Sequence, residues 1–279
     1  MKLPSEQLPE IQSANFGQYF LNWREAGSGD AIILLHGISS GSASWVYQLA
    51  ESSLTQHYRL IAWDAPGYRN SQALSNQHPT AIDYADALAA FIDGLALTSV
   101  VLVGHSLGAL IASAFAAKYP SKIKSVFLAN PAQGYATKSK TEQQQVYQQR
   151  EDIVFNLGIE NYAQQRAAAL LSPAASKQQV DWVRQTMSQL NPNGFLAAAW
   201  MLAHDDLGHY LEQFSGPVQM VVGLDDTITP PEKVQQLAQQ KGCPLSYLEK
   251  AGHASYLDAP QQFNHYLTQF LASDAAVEV

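Results

Sequence analysis

Residues 98–110 leave this chain little freedom. Ser99 to Val103 is a short run of β-branched residues and leucine, the pattern of a strand buried on both faces. It breaks at Gly104-His105-Ser106-Leu107-Gly108. Small apolar residues at helical spacing follow at once, at Ala109, Leu110, Ala112, Ala114 and Phe115. Strand, sharp turn and helix is the context in which G-x-S-x-G has a mechanical meaning. The turn holds Ser106 in a strained conformation, and the two glycines clear space because neither carries a Cβ. The spacing therefore predicts a serine hydroxyl presented at a strand end, beside the free N–H groups of a helix N-terminus. The competing reading is an ordinary turn with a capping serine, since the motif alone also occurs by chance.

The rest of the chain supplies a frame. Residues 18–26 alternate like a strand, and Gly27 to Asp30 read as a turn. Strand-like runs recur at Ala31 to Leu35, Tyr58 to Trp63, Val126 to Ala129, Pro217 to Gly223 and Leu245 to Leu248. Helical spacing appears over 81–96, 231–241 and 259–272, with a further helix after Trp45. Residues 1–13 read as a polar, proline-bearing lead-in. Strands alternating with helices across short connections predict an α/β fold, a mostly parallel sheet flanked by helices on both faces. Such sheets bind ligands at the carboxyl ends of their strands. The turns at 36–38, 64–68, 104–108 and 130–131 fall at such ends and are expected to share one edge.

The alternation stops over residues 133–210. There the spacing is helical throughout and rich in alanine and glutamine, yet Trp182, Phe195, Trp200 and Met201 carry too much apolar bulk for a disordered linker. The expectation is a helical cap, 133–210, inserted in a core domain formed by 1–132 and 211–279. Trp200 and Met201 are expected to line the cleft between them.

Composition narrows the partners. Formal net charge is −8 and no run of lysine or arginine interrupts the sequence, which argues against nucleic acid or an anionic membrane. No apolar run approaches the ~18 residues of a membrane span, and the first residues lack the apolar stretch of a signal peptide. Cys243 is the single cysteine, so no internal disulfide can form. These features predict a cytoplasmic protein with a small-molecule partner and leave its oligomeric state open. His204, Asp205, Asp206 and His209 invite a metal site, but a five-residue histidine spacing suits one helix face poorly, and no metal is expected.

A serine nucleophile needs a base and a group to orient it. Downstream of Ser106, acids at Asp225 and Asp226 follow one strand, and His253 follows the next. The order Ser106, Asp226, His253 joins four further elements: His36-Gly37 with Trp45 nine residues on, Asp64-x-Pro66-Gly67, Gly223-x-x-Asp226-x-x-x-Pro230, and Gly252-His253. Together they resemble the α/β-hydrolase superfamily over nearly the whole chain. The resemblance implies that fold, with Ser106 as nucleophile, His253 as general base and Asp226, rather than its neighbour Asp225, as the orienting acid. It implies an oxyanion hole from the backbone N–H groups of Ile38 and Leu107, and no cofactor. One departure stands out: the family pattern continues Pro-Gly-x-Gly-x-Ser, whereas this chain reads Pro66-Gly67-Tyr68-Arg69-Asn70-Ser71. The activity implied is hydrolysis of a small carboxylic ester or lactone through an acyl-enzyme. Rival readings are a carbon–carbon bond hydrolase of ring-cleavage products, a cofactor-free perhydrolase or haloperoxidase, and a non-catalytic binding protein on the same fold. The first rival's hallmark aromatic and asparagine are replaced here by Ala254 and Tyr47.

Overall fold

The computed structural model describes residues 3–275; the outermost ends of the expected core segments, 1–2 and 276–279, lie outside them. Eight strands form one sheet: β1 (Gln12–Phe16), β2 (Tyr19–Ala26), β3 (Asp30–Leu35), β4 (Tyr58–Asp64), β5 (Val100–His105), β6 (Ile123–Ala129), β7 (Val218–Gly223) and β8 (Leu245–Leu248). Their order is β1-β2-β4-β3-β5-β6-β7-β8. β1 and β2 pair antiparallel, β2 runs antiparallel to β4, and every pair from β4 to β8 is parallel.

The central strands read as unbroken apolar runs because helices cover both faces. Alternate residues of one strand feed opposite cores. Ile33, Leu35 and Leu102 pack with Phe91 and Phe115 beneath the helices Ala81–Gly94 and Leu107–Lys118. Ile32, Leu34, Val101 and Val103 pack with Trp45, Phe127 and Phe263 on the other side, under the helix Pro260–Ala275. A one-residue slip of β3 or β5 would exchange the two sets, so the register is fixed by burial on both faces.

Two expectations change. The polar lead-in ends in the first two residues of β1, a strand that folds back on β2 through Gly17, a residue at φ 60°. Only Phe16 of this edge strand is buried, so its alternation is hidden among polar residues. The stretch between β6 and β7 is helical, as expected, with helices Lys140–Asp152, Ile159–Arg166, Lys177–Met187 and Pro192–His204. The expected boundary at 210, however, falls inside the helix Leu207–Glu212. That helix packs against Leu107–Lys118 and puts Leu207, Tyr210 and Leu211 into the core beside the sheet. Helical spacing looks the same whether a helix covers the sheet or stands above it.

The two chain crossings at the base of the insertion are stapled together. Leu207 N–H donates to Gln133 O at 2.9 Å, and Ala136 N–H donates to Asp205 O at 3.1 Å. Gly134, at φ 81°, has no room for a Cβ, which would lie 2.0 Å from Asp205 O. The Asp205 side chain meanwhile accepts from Ala81 N–H and the Tyr210 hydroxyl, both at 2.6 Å. This anchors the insertion to two layer helices and occupies the Asp205 carboxylate of the His204–His209 group.

Candidate active site

Ser106 stands at the turn between β5 and its following helix with φ 53° and ψ −114°, a backbone conformation that L-residues avoid. The surroundings over-determine it. Ser106 N–H donates to Ala129 O, while Ser106 O accepts from Ala109 and Ala132. A Cβ at Gly108 would lie 2.2 Å from Leu35 O, and one at Gly104 would lie 2.6 Å from Gly108 O. Both glycines are thus required by close backbone approach. Among the described residues Ser106 Oγ has no hydrogen-bond partner, and it faces a cavity.

His253 sits in the loop after β8, and its Nδ1 lies 3.0 Å from Asp226 Oδ2. With Nδ1–H donating to that carboxylate, Nε2 is left as an acceptor. His253 and Ser106 line the same cavity, although no hydrogen bond joins them in this state. Such contacts commonly tighten only when substrate binds. Asp225, the rival acid, is exposed, and its N–H donates to Ala251 O.

The buried Asp226 carboxylate is saturated with donors. Ile228 and Thr229 N–H donate to Oδ1 at 2.8 and 3.0 Å, and Asn130 Nδ2 and the Thr229 hydroxyl reach Oδ2 at 2.7 and 2.6 Å. Burial opposes its charge, but the bonds from His253, Thr229 and Asn130 outweigh that and hold the carboxyl well below its usual range. Asn130, at φ 47°, also accepts from Ser255 Oγ at 2.5 Å. The sequence marked 130–131 as a strand end and gave no hint that its amide braces the acid. Thr229 had no signal beyond its place between Asp226 and Pro230.

The loop after β3 is held from below. His36 Nδ1–H donates to Gly37 O at 2.8 Å, and its Nε2 accepts from Ala65 N–H at 3.1 Å. Burial lowers its pKa to about 4, so it is a neutral strut. Asp64 accepts from Ser42 N–H and Oγ at 2.7 and 3.0 Å, pinning the same loop. The Tyr68 hydroxyl donates to Ile38 O at 2.9 Å and so fixes that peptide. Ile38 N–H has no acceptor among the described residues, nor does Leu107 N–H, at the first position of its helix. Arg69 takes the left-handed conformation, φ 48°, that glycine usually supplies. Its Nε lies 3.5 Å from Asp64 Oδ1, so a charge contact accompanies the strained backbone.

His105 has a role its variable motif position concealed. Its Nε2–H donates to His253 O at 2.8 Å, tying the elbow to the histidine loop. Burial and the nearby His253 drive its pKa down to about 3, keeping it neutral. Trp45 stacks on Tyr256 with ring centroids 4.3 Å apart.

The cavity, about 400 Å³, opens between the sheet edge and the helical insertion. Trp200 and Met201 do not line it. Met201 is fully buried in the core, and Trp200 stacks outside on His78 and His204. Residues on a helix step by about 100°, so Leu202, two positions beyond Trp200, is the one that reaches the cavity.

The α/β hydrolase fold family matches the chain over residues 30–260. A pimeloyl-(acyl-carrier protein) methyl ester esterase of Vibrio vulnificus is 30% identical over 264 residues, covering 90% of this chain and 97% of the relative. A 3-oxoadipate enol-lactonase of Acinetobacter baylyi is 26% identical over 251 residues, 88% of this chain and 90% of its own. Among solved structures, a thermophilic esterase from Thermogutta terrifontis, with malate bound, superposes with a TM-score of 0.85 at 24% identity, covering 95% and 99% of the two chains. A strained serine at a strand end, a histidine paired with a carboxylate, and this agreement along the sequence lead to one conclusion. The chain is a hydrolase and belongs to the α/β hydrolase fold family.

Proposed function

We propose that the protein hydrolyses small carboxylic esters or lactones through an acyl-enzyme on Ser106. The observation that carries this reading is the His253 Nδ1 contact to Asp226, which leaves Nε2 free to take a proton on the cavity that Ser106 faces. His253 removes the Ser106 Oγ proton as Oγ attacks the carbonyl carbon. The tetrahedral oxyanion is held by the backbone N–H groups of Ile38 and Leu107. Collapse expels the alcohol, which takes the proton from His253. Water, deprotonated by the same histidine, then attacks the acyl carbon; the bond to Oγ breaks, His253 returns its proton to Oγ, and the acid leaves. Asp226 keeps the imidazole in the productive tautomer and stabilises its charged form. A lactone follows the same course with its alcohol still attached. The helical insertion serves as a cap that shapes the acyl pocket. The cytoplasm is the compartment that fits the sequence; among the described residues no helix is long and apolar enough to cross a membrane.

The relatives named for a methyl ester and an enol-lactone support this chemistry, while one named for a ring-cleavage dienoate, matched over 46% of this chain, makes carbon–carbon cleavage the second reading. The test is a panel of short and medium p-nitrophenyl esters, several lactones and one ring-cleavage dienoate, run with wild type and Ser106→Ala. Ester or lactone turnover that vanishes in the variant supports the reading. Turnover of the dienoate alone would replace it with the carbon–carbon reading. Silence throughout, with no labelling by a fluorophosphonate, would leave a non-catalytic protein.

A further inference from the structure

The cavity has a polarity that chemistry at Ser106 does not require. Lys138, Arg150, Arg166 and Lys233 line it, and no aspartate or glutamate does, in a chain whose net charge is −8. Among the described residues none of the four has a carboxylate within ion-pair distance. Three are exposed at the rim, while Arg150 is half-buried on the helix Lys140–Asp152.

Arg150 Nη1 donates to Val146 O at 2.9 Å and to Gln149 Oε1 at 3.2 Å, both on its own helix. Nε and Nη2 have no acceptor among the described residues. Burial works against its charge, and the neighbouring Arg166 adds to the penalty. A guanidinium held in this way costs free energy until an anion joins it. A helix C-terminus favours one basic residue by its dipole, which would explain Arg150 alone. It does not explain why Arg166 and two lysines face the same space.

We propose that this cationic wall binds a carboxylate carried by the substrate, so that preferred substrates are esters or lactones of acids with a second, free carboxylate. The planar fork of Arg150 takes two oxygens at once, and Arg166 closes on the same group. The proposal rests on the ester and lactone reading above and names the substrate class within it.

Two measurements test it. The first compares kcat/KM for monomethyl glutarate with that for neutral dimethyl glutarate, in wild type, Arg150→Lys and Arg150→Gln, after melting curves show each variant folded. A charged hydrogen bond corresponds to a preference of roughly ten- to hundredfold for the half-ester. The preference should collapse in Arg150→Gln and be intermediate in Arg150→Lys. The second measures calorimetric binding of free glutarate to Ser106→Ala, with and without Arg150→Gln, and of inorganic phosphate to the same proteins. Glutarate should bind, and weaken by a similar factor when Arg150 is replaced. Glutarate binding that ignores Arg150, or phosphate binding tighter than glutarate, overturns the carboxylate assignment. Hydrolysis of neutral esters with no response to Arg150 leaves the esterase reading standing and removes this one. Glutarate bound through Arg150 by a protein that hydrolyses no ester does the reverse.

Discussion

The sheet edge and the helical insertion face each other across one cavity and are built on opposite principles. At the sheet edge, position is set by backbone. Ser106 is held by close approach of Leu35 and Gly108, Ile38 by its own peptide and Tyr68, and Asp226 by two N–H groups of its turn. In the insertion, side chains set the character of the site. The helix Lys140–Asp152 has only Val146 buried, begins at a Ser139–Glu142 capping box, and delivers Arg150 to the cavity. The first region fixes where a reacting atom can sit. In the proposed reading the second selects what is attached to it, so substrate choice could change without disturbing the chemistry.

The largest expected effect lies at the edge. Ser106→Ala should lower turnover by roughly 10³-fold or more while the unfolding midpoint stays near wild type. A variant that retains wild-type turnover would remove the serine from the mechanism. Gly108→Ala comes next, because its Cβ meets backbone that cannot yield; a loss of roughly 3 kcal/mol in urea is expected. A neutral result would mean the elbow is plastic, and the contrast with the insertion would fail.

Asn130→Ala removes a donor from Asp226, leaves Ser255 Oγ without its acceptor and puts alanine at positive φ. About 1–3 kcal/mol of stability should go, and kcat should fall while KM changes little. A change confined to KM would assign Asn130 to binding instead.

The pH dependence of stability sharpens the same comparison. His36 and His105 are buried neutral, with pKa values lowered to about 4 and about 3. The unfolded chain binds protons first, so their stabilisation is complete above about pH 6.5 and drains as pH falls towards those values. The urea midpoint should drop between pH 7 and 5. The drop should shrink in His105→Gln, which can still donate to His253 O but cannot titrate. An equal drop in the variant would mean His105 is not the group involved.

The smallest effect joins the two regions. Asp258 Oδ2 accepts from Gly252 N–H, beside His253, and from Ser172 N–H in the insertion, both at 2.7 Å. Burial raises its pKa to about 6, against the pull of those two bonds. Here the folded state holds the proton longer, so the favourable contribution is present at low pH and lost as pH rises through about 6. Asp258→Asn keeps an acceptor for both N–H groups without the charge. Its melting temperature should exceed wild type at pH 8, and the gain should fade towards pH 5. A constant difference across that range would show that the charge is not the cause.

Much of this was legible in the residues. The run from Pro231 to Lys241 and that from Leu245 to Leu248 became a helix and a strand with those bounds. The strand-end turns do share one edge, because parallel connectivity leaves them nowhere else to go. Less visible were contacts between residues far apart in sequence. Asn130 meets Asp226 across 96 positions and His105 meets His253 across 148, and neither pair has a local signature.

The sheet and its order of motifs could be read from the chain alone, and the same reading nominated Ser106, His253 and Asp226 as the group proposed to act together. Apolar runs, glycines at tight turns and fixed spacings are local properties, and they survive in a linear string. The cavity wall came instead from how the elements pack. That packing turned Trp200 and Met201 away and Leu202 inward, placed the helix Leu207–Glu212 with the sheet layer, and gathered Arg150, Arg166, Lys138 and Lys233 around one space. The physical reason is that a helix face is chosen by what it packs against. Charge in a cavity depends on which faces meet, and no window of sequence contains both.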